Sequence, residues 1–256
     1  MKPLPRIMVA PNGASRGKTD HPALPVTIAE ITACAVACHA AGADAIHAHV
    51  RDAEGRHVLD AGLYAELLEE LARAVPAMAV QITTEAVGRY APVAQRTLVM
   101  RLRPALVSVA LREITREPDT ALTRAFFHDC VAAGIAVQHI LYDAGEVTAL
   151  ADLQARGVVP AGRVQVMHVL GRYAAGQVSA PDDLKAPLTA QRQAGLEADW
   201  AVCAFGAAEA DCLIAAHRRG GKMRIGFENN LLPPDGQPAR DNAAQVAALI
   251  ARLAEG

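Results

Sequence analysis

The run Ala45-Ile46-His47-Ala48-His49-Val50-Arg51-Asp52 holds two imidazoles two residues apart. Alternation along a strand puts His47 and His49 on one face, about 6.5–7 Å apart along the backbone and within reach of a single ion. Zinc takes imidazole nitrogen at about 2.0–2.1 Å, and a catalytic zinc site has a third protein ligand and one open position. Glu228, at the end of the last apolar run, is the candidate third ligand. Two His and one carboxylate also describe iron(II) sites, so the metal's identity (zinc, Zn2+, one per chain, is expected) is less determined than its position. Arg224 lies an even number of residues before Glu228 and so on the same strand face. It either grips a substrate carboxylate and a developing oxyanion, or pairs structurally with an internal carboxylate.

The segments Arg6–Ala10, Ala43–Val50, Ala77–Thr83, Ala105–Ala110, Ile135–Tyr142, Arg163–Leu170, Asp199–Ala204 and Met223–Phe227 read as strands. Between them, Thr27–Ala41, Ala61–Val75, Asp119–Ala133, Leu184–Gly195, Ala207–Arg219 and Asn242–Ala254 have the apolar periodicity of amphipathic helices, and Val87–Arg101 and Ala149–Gly157 have it more weakly. Glycines after Ala41, Ala133 and Arg219 suit helix stops. Eight such βα units predict an α/β fold, a single (β/α)8 TIM barrel in one domain over 1–256, with a doubly wound open sheet as the alternative. In a barrel, inward side chains of alternate strands share a layer, so the second and eighth strands bring His47, His49 and Glu228 to one level. All three fall at carboxyl ends of strands, the face where barrel active sites are built.

Net charge is −2 over 256 residues and the charges are scattered, which disfavours nucleic acid and anionic membranes as partners. Apolar residues make up 52% of the chain, but Gly, Pro or charge interrupts every apolar stretch short of the ~18 residues of a membrane span. The start lacks the layout of a signal peptide, and the five cysteines are odd in number and set among apolar residues, so a soluble, cytoplasmic, disulfide-free protein is expected. Cys34 and Cys38 with His39 either pinch a metal or line a buried helix face.

The chain resembles the β-keto acid cleavage enzymes. The resemblance rests on Pro11-Asn12-Gly13-Ala14, Leu24-Pro25-Val26-Thr27, the His47-to-Asp52 run, Trp200, the stretch from Gly220-Gly221-Lys222 to Glu228-Asn229-Asn230, and Asn242. It implies a zinc-binding barrel, usually a homotetramer, that converts a β-keto acid and acetyl-CoA into acetoacetate and a new acyl-CoA by retro-Claisen-type carbon–carbon cleavage. In that family His47, His49 and Glu228 match the metal ligands and Arg224 an active-site arginine. The partners so implied are a small β-keto carboxylate and acetyl-CoA.

Departures bear on the acid/base chemistry. Ser15 stands where the family carries Glu, and Asn229 where it carries the acidic residue proposed as general base. The loop after the third strand reads Thr83-Thr84-Glu85-Ala86, the fourth strand ends Ala110-Leu111-Arg112-Glu113, and the fifth reads Val137-Gln138-His139-Ile140. An amide cannot take up a proton as a carboxylate does. Glu85 is therefore expected to supply the missing carboxylate, the alternative being a surface glutamate at a helix start; Thr83, Ser15 and Asn229 would orient substrate by hydrogen bonds.

Gly13-Ala14-Ser15-Arg16-Gly17-Lys18-Thr19 imitates a phosphate loop but is one residue short and runs into Asp20-His21-Pro22 rather than a helix. His139 and His168 on the fifth and sixth strands resemble part of the amidohydrolase ligand set, which makes a metal-dependent hydrolase the rival reading. A metal-dependent binding protein without turnover is a third. Arg51 and Asp52 either pair with each other behind the histidines or form a surface ion pair, and Arg112 either meets a substrate carboxylate or lies in solvent.

Overall fold

The computed structural model describes residues 2–117, 119–232 and 236–255. Chain order is β1 (Ile7–Val9), α1 (Ile28–Ala40), β2 (Ala45–Ala48), α2 (Ala61–Ala74), β3 (Ala79–Thr83), α3 (Pro92–Leu102), β4 (Leu106–Ala110), α4 (Leu111–Ile114), α5 (Thr120–Ala132), β5 (Ala136–Leu141), α6 (Ala144–Ala155), β6 (Val164–Leu170), α7 (Lys185–Gln193), β7 (Ala198–Ala204), α8 (Glu209–His217), β8 (Lys222–Ile225) and α9 (Asn242–Ala254). The strands are parallel and close in the order β1 to β8, with β8 paired back onto β1 at Ile7–Met223, Met8–Arg224 and Val9–Ile225. The expected barrel is present, and the open-sheet alternative falls with that closure.

Strand parity sorts the side chains into two cores. Residues such as Ile7, Val9, Ile46, Ile82, Val107, Val109, Leu141, Val166 and Val202 point outward and merge with Ile31, Leu67, Leu71, Phe126, Phe127, Leu150 and Leu213 of the helices in one apolar layer. The opposite set points into the barrel. Met8, Ala45, Leu106 and Ala136 form a lower interior layer, and Ala110, Ile140, Met167, Val169, Ala201, Cys203 and Phe205 form another group that includes Leu4 from the N-terminal segment. That segment is pinned at the amino end of the barrel: Leu4 N donates to Asp199 Oδ2 (2.7 Å), and Lys222 Nζ pairs with the same carboxylate. The polar groups of the active face therefore sit above a packed floor.

Helix starts follow local chemistry. Thr27 caps α1 in a reciprocal capping box with Glu30, and Asp60, Asp143 and Asp241 cap α2, α6 and α9 through main-chain N–H groups. Helix α6 begins at Ala144, five residues earlier than expected, because the Asp143 cap and Glu146 act there. Helix α3 begins at Pro92 rather than at position 87, because Val87 and Gly88 both take positive φ in the preceding turn. The short α4 directly after β4 was not expected. Strand β8 ends at Ile225, before Phe227, because Gly226 turns the chain at φ 143. A Cβ at Gly226 would sit 2.4 Å from the Ala10 carbonyl oxygen, so only glycine fits the bend.

Candidate functional site

Strand β2 presents His47, and His49 follows it just past the strand end with the same facing. Their Nε2 atoms lie 3.0 Å apart. Beyond the Gly226 bend, Glu228 Oε2 lies 3.6 Å from His47 Nε2 and 3.5 Å from His49 Nε2. Among the described residues this is the group of His, Cys, Asp and Glu side chains whose geometry suits a metal ion. The backbone is shaped for it: Gly13 holds φ +58, and a Cβ there would come within 2.6 Å of Glu228 Cγ. Asn12 clamps the main chain of His49, accepting from its N–H (3.2 Å) and donating to its carbonyl (2.8 Å). Asn242 ties the two loops together, accepting from Phe227 N–H and donating to the Pro11 carbonyl.

A ladder of amides inside the barrel sets the proton on His47. The Val166 carbonyl can only accept, so Gln138 must turn its Nε2 toward it (3.4 Å) and its Oε1 toward Gln81 Nε2 (2.9 Å). Gln81 Oε1 then faces His47 Nδ1 at 2.8 Å, and that nitrogen must donate. His47 is left with a bare Nε2 aimed at His49 and Glu228. Partners of this kind orient metal-bound histidines and raise their basicity. Burial, followed by the Arg224 charge, holds the His47 imidazole well below its usual range, so it is neutral as a ligand must be.

The residues fit a divalent metal. Ligand atoms bound tetrahedrally at ~2.0–2.1 Å stand about 3.3 Å apart, and the three separations here bracket that value. Glu228 Oε2 is buried with no hydrogen-bond partner, an orphaned acceptor facing two imidazole nitrogens. Burial alone would push the Glu228 carboxyl up, but the Arg224 guanidinium and then His47 and His49 outweigh it and hold the group well below the carboxylate range. A permanently ionised carboxylate beside neutral imidazoles is the donor set that a borderline-soft dication prefers.

Arg224 is buried on β8, donating through Nη2 to Glu228 Oε1 (3.0 Å) and to Cys203 Sγ (3.3 Å). It pairs with an internal carboxylate, the structural alternative, and it also lines the cavity above the site. Its Nε has no partner. Glu85 reaches the same cavity, with Oε2 3.8 Å from His49 Nδ1. Its main chain is held by Thr83 Oγ1, which accepts from Glu85 N–H (3.0 Å), and by His57 Nε2, 2.9 Å from the Glu85 carbonyl oxygen. Burial raises the Glu85 carboxyl, the Glu228 charge adds to that, and His49 and Arg172 oppose it.

The cavity is walled by His47, Thr83, Glu85, Arg224 and Glu228 on one side and by Ala110, Ile140, Tyr142, Val169, Arg172 and Phe205 on the other. Ser15 and Asn229 are absent from this wall. Ser15 is exposed on the first loop. Asn229 is buried and turned away, its Nδ2 donating to Glu209 Oε1 and the Arg224 carbonyl (both 3.3 Å), on the face opposite to the inward Arg224 and Glu228, as alternation places it. Glu209, which the sequence reading passed over, also accepts from Gly226 N–H (3.2 Å) and braces the loop carrying Glu228. Burial pushes the Glu209 carboxyl up to about 8, against the pull of those donors. Gln81, Asn12, Tyr142 and Arg172 were likewise missed.

The rival features resolve by position. His139 packs on Phe127 of α5 and His168 contacts Gln191 of α7, so both face the helix layer and cannot join an amidohydrolase-type ligand set. Arg51 and Asp52 do not pair. The Arg51 guanidinium gathers the carbonyls of Asn12, Gly13, Ala14, Arg16 and Gly55, while Asp52 pairs with Arg56. Those inward carbonyls are the opposite of the N–H cradle of a phosphate loop. Arg112 is neither free nor in the cavity: it pairs with Glu146 and Asp143 and lies over Tyr142 and Tyr173. Cys34 and Cys38 are neighbours on α1 with sulfurs 3.8 Å apart, but His39 turns away to the Ala43 carbonyl.

A family model described as beta-keto acid cleavage enzyme matches residues 6–256. A 3-oxoadipate:acetyl-CoA acetyltransferase of Cupriavidus necator is 27% identical over 251 residues, covering 95% of this chain and 87% of that protein. A 3-keto-5-aminohexanoate cleavage enzyme of Fusobacterium nucleatum is 26% identical over 252 residues, covering 95% and 88%. Among solved structures, ObcA without ligand superposes with a TM-score of 0.73 at 16% identity, over 91% of this chain and 62% of that longer one. A type I 3-dehydroquinate dehydratase of Clostridium difficile superposes at 0.63 with 14% identity, over 98% and 94%, a likeness of fold.

Proposed function

The chain belongs to the β-keto acid cleavage enzyme family, and from that premise we propose that His47, His49, Glu228, Arg224, Glu85 and Thr83 carry its reaction. The reaction class is carbon–carbon bond-cleaving acyl transfer, in which a β-keto acid and acetyl-CoA give acetoacetate and a new acyl-CoA. The observation that carries the site assignment is the convergence of two imidazole Nε2 atoms on the orphaned Glu228 Oε2. A zinc ion held by these three residues would supply Lewis-acid polarisation of the keto carbonyl.

The protein's own groups do the rest. Arg224 is fixed at Nη2 by Glu228 and Cys203, which leaves its remaining N–H groups to hold the substrate carboxylate and charge developing beside it. Glu85, with a raised carboxyl, takes the proton from the carbon between keto and carboxylate groups. The resulting carbanion attacks the acetyl thioester carbonyl and releases CoA thiolate. That thiolate attacks the original keto carbon, the bond between the keto carbon and the deprotonated carbon breaks, and Glu85 returns its proton to the departing acetoacetate carbanion. Thr83, whose hydroxyl already sits at the Glu85 N–H, orients the substrate; Ser15 and Asn229 lie off the wall, and Asn229 instead steadies the loop through Glu209.

Free thiols at all five cysteines fit a reducing, cytoplasmic setting, and no helix among the described residues is long and apolar enough to cross a membrane. The family resemblance supports a homotetramer of single-domain barrels spanning 1–256. Metal-loaded protein incubated with β-keto acids and carbonyl-labelled acetyl-CoA tests the reaction. Labelled acetoacetate together with an unlabelled acyl-CoA is the expected outcome. Absence of both with every acid, alongside hydrolysis of amides or lactones, would overturn it in favour of a hydrolase.

A further inference from the structure

The closed strand order divides the cavity chemically. Strands β8, β2 and β3 and the loops that follow them supply Arg224, Glu228, His47, Thr83 and Glu85. Strands β4 to β7 with their loops supply Ala110, Ile140, Tyr142, Val169, Arg172 and Phe205. In an eight-strand barrel β6 stands across from β2, so Arg172, two residues past β6, faces the histidine side over an apolar wall.

Arg172 differs from the other arginines around the site. Arg224 is paired with Glu228, Arg112 with Glu146 and Asp143, and Arg51 with main-chain carbonyls. Among the described residues, no carboxylate lies within ion-pairing distance of Arg172. Its guanidinium rests 5.2 Å from the Phe205 ring centre and 6.0 Å from that of Tyr173, contacts that orient a planar cation without neutralising it. A half-buried guanidinium on a cavity wall, with Glu85 acting on it only from across the cavity and no carboxylate at ion-pairing distance among the described residues, is a site for a carboxylate or phosphate.

We infer that Arg172 is a specificity-determining residue that reads a second anionic group, so that the preferred substrate is a β-keto acid with a carboxylate at the far end of its tail. This rests on the reaction proposed above. The end with the β-keto acid unit takes Arg224 and the polar half, the methylenes of the tail lie along Ile140, Val169 and Phe205, and the tail carboxylate meets Arg172. A cationic tail would meet repulsion there.

The test uses three β-keto acids of equal length ending in carboxylate, methyl and ammonium, with acetyl-CoA, on wild type, Arg172→Gln and Arg172→Lys, all checked for equal metal content. Wild type is expected to favour the carboxylate tail over the methyl tail in kcat/KM by roughly 10- to 100-fold, the range for one charge-assisted contact. Arg172→Gln should collapse that ratio, chiefly through KM for the acid, and Arg172→Lys should restore part of it. Three outcomes overturn the inference: an equal loss for all three acids, which assigns Arg172 to the shared carboxylate; a rise in KM for acetyl-CoA alone, which assigns it to a CoA phosphate; or a wild-type preference for methyl or ammonium. Should wild type turn over none of the acids, the reaction reading fails by itself. Calorimetric titration of the three acids then decides the inference, since tighter binding of the carboxylate tail that Arg172→Gln abolishes sustains it and equal binding ends it.

Discussion

Replacing Gln81 by Leu removes the acceptor that keeps the proton of His47 on Nδ1, at nearly constant side-chain volume. Two contacts go at once: the 2.8 Å bond to His47 and the 2.9 Å bond to Gln138. His47 then has no fixed tautomer, and the form with its proton on Nε2 cannot bind an ion. Loss of such a supporting partner typically weakens metal binding by about 10- to 100-fold, equivalent to about 1.4–2.7 kcal/mol. The apo fold also loses two buried amide contacts at about 1 kcal/mol each. For a chain of this length that lowers the melting temperature by roughly 4–8 °C, short of unfolding at 25 °C. Competition against a chromophoric chelator, with circular dichroism to verify folding, reads both effects. Gln81→Glu is the control: it loses the bond to Gln138, whose Nε2 stays on the Val166 carbonyl, but its carboxylate still accepts from Nδ1, and metal affinity should stay within about tenfold of wild type. Folded Gln81→Leu protein that binds metal as tightly as wild type would refute the amide-ladder reasoning.

Arg224→Lys keeps a charge but loses the planar fork, and should lower kcat by about two to three decades with metal retained, which steady-state kinetics and metal analysis together check. Glu85→Gln should likewise keep its metal, because Glu85 is outside the donor group, and lose about 10²- to 10⁴-fold in turnover; full turnover would remove Glu85 from the chemistry. Glu209 has a folded carboxyl near 8 against about 4.5 unfolded, so its contribution to stability is complete below pH ~4.5 and falls until pH ~8, by at most about 1.4 kcal/mol per pH unit. Denaturant titrations across that range should show a decline that Glu209→Gln flattens, and identical slopes in the two proteins would contradict the assignment.

Much of the site was legible because strand parity is a local property. His47 and His49 two apart, and an acid at the end of the last strand, were enough to locate a group that could hold a metal ion once eight βα units implied closure. The two histidines of the rival reading are excluded by the structure and were left open by the sequence reading: His139 neighbours the inward Gln138, and His168 the inward Met167 and Val169. Register is not local. Nothing in the sequence aligns Gln81 of β3 with Gln138 of β5 and the Val166 carbonyl of β6, so the ladder that orients His47 was invisible. Asn229 was placed at the substrate by its match to the family's acidic position, although its parity with the inward Glu228 already turns it away. Arg172 lies in the loop after β6, where no period reports facing, and Glu209 opens α8, where a buried carboxylate runs against the apolar pattern of the helix face. By contrast, the Asp143 cap with Glu146 three residues on was a readable signal for the true start of α6, and was overlooked.

The central claim is that His47, His49 and Glu228 together hold one catalytic divalent ion. Inductively coupled plasma mass spectrometry on purified wild type and on the double variant His47→Ala, His49→Ala, both shown folded by circular dichroism, tests it directly. About one ion per chain, predominantly zinc, is expected in wild type, and close to none in the variant. Equal metal content in the two folded proteins would contradict the account.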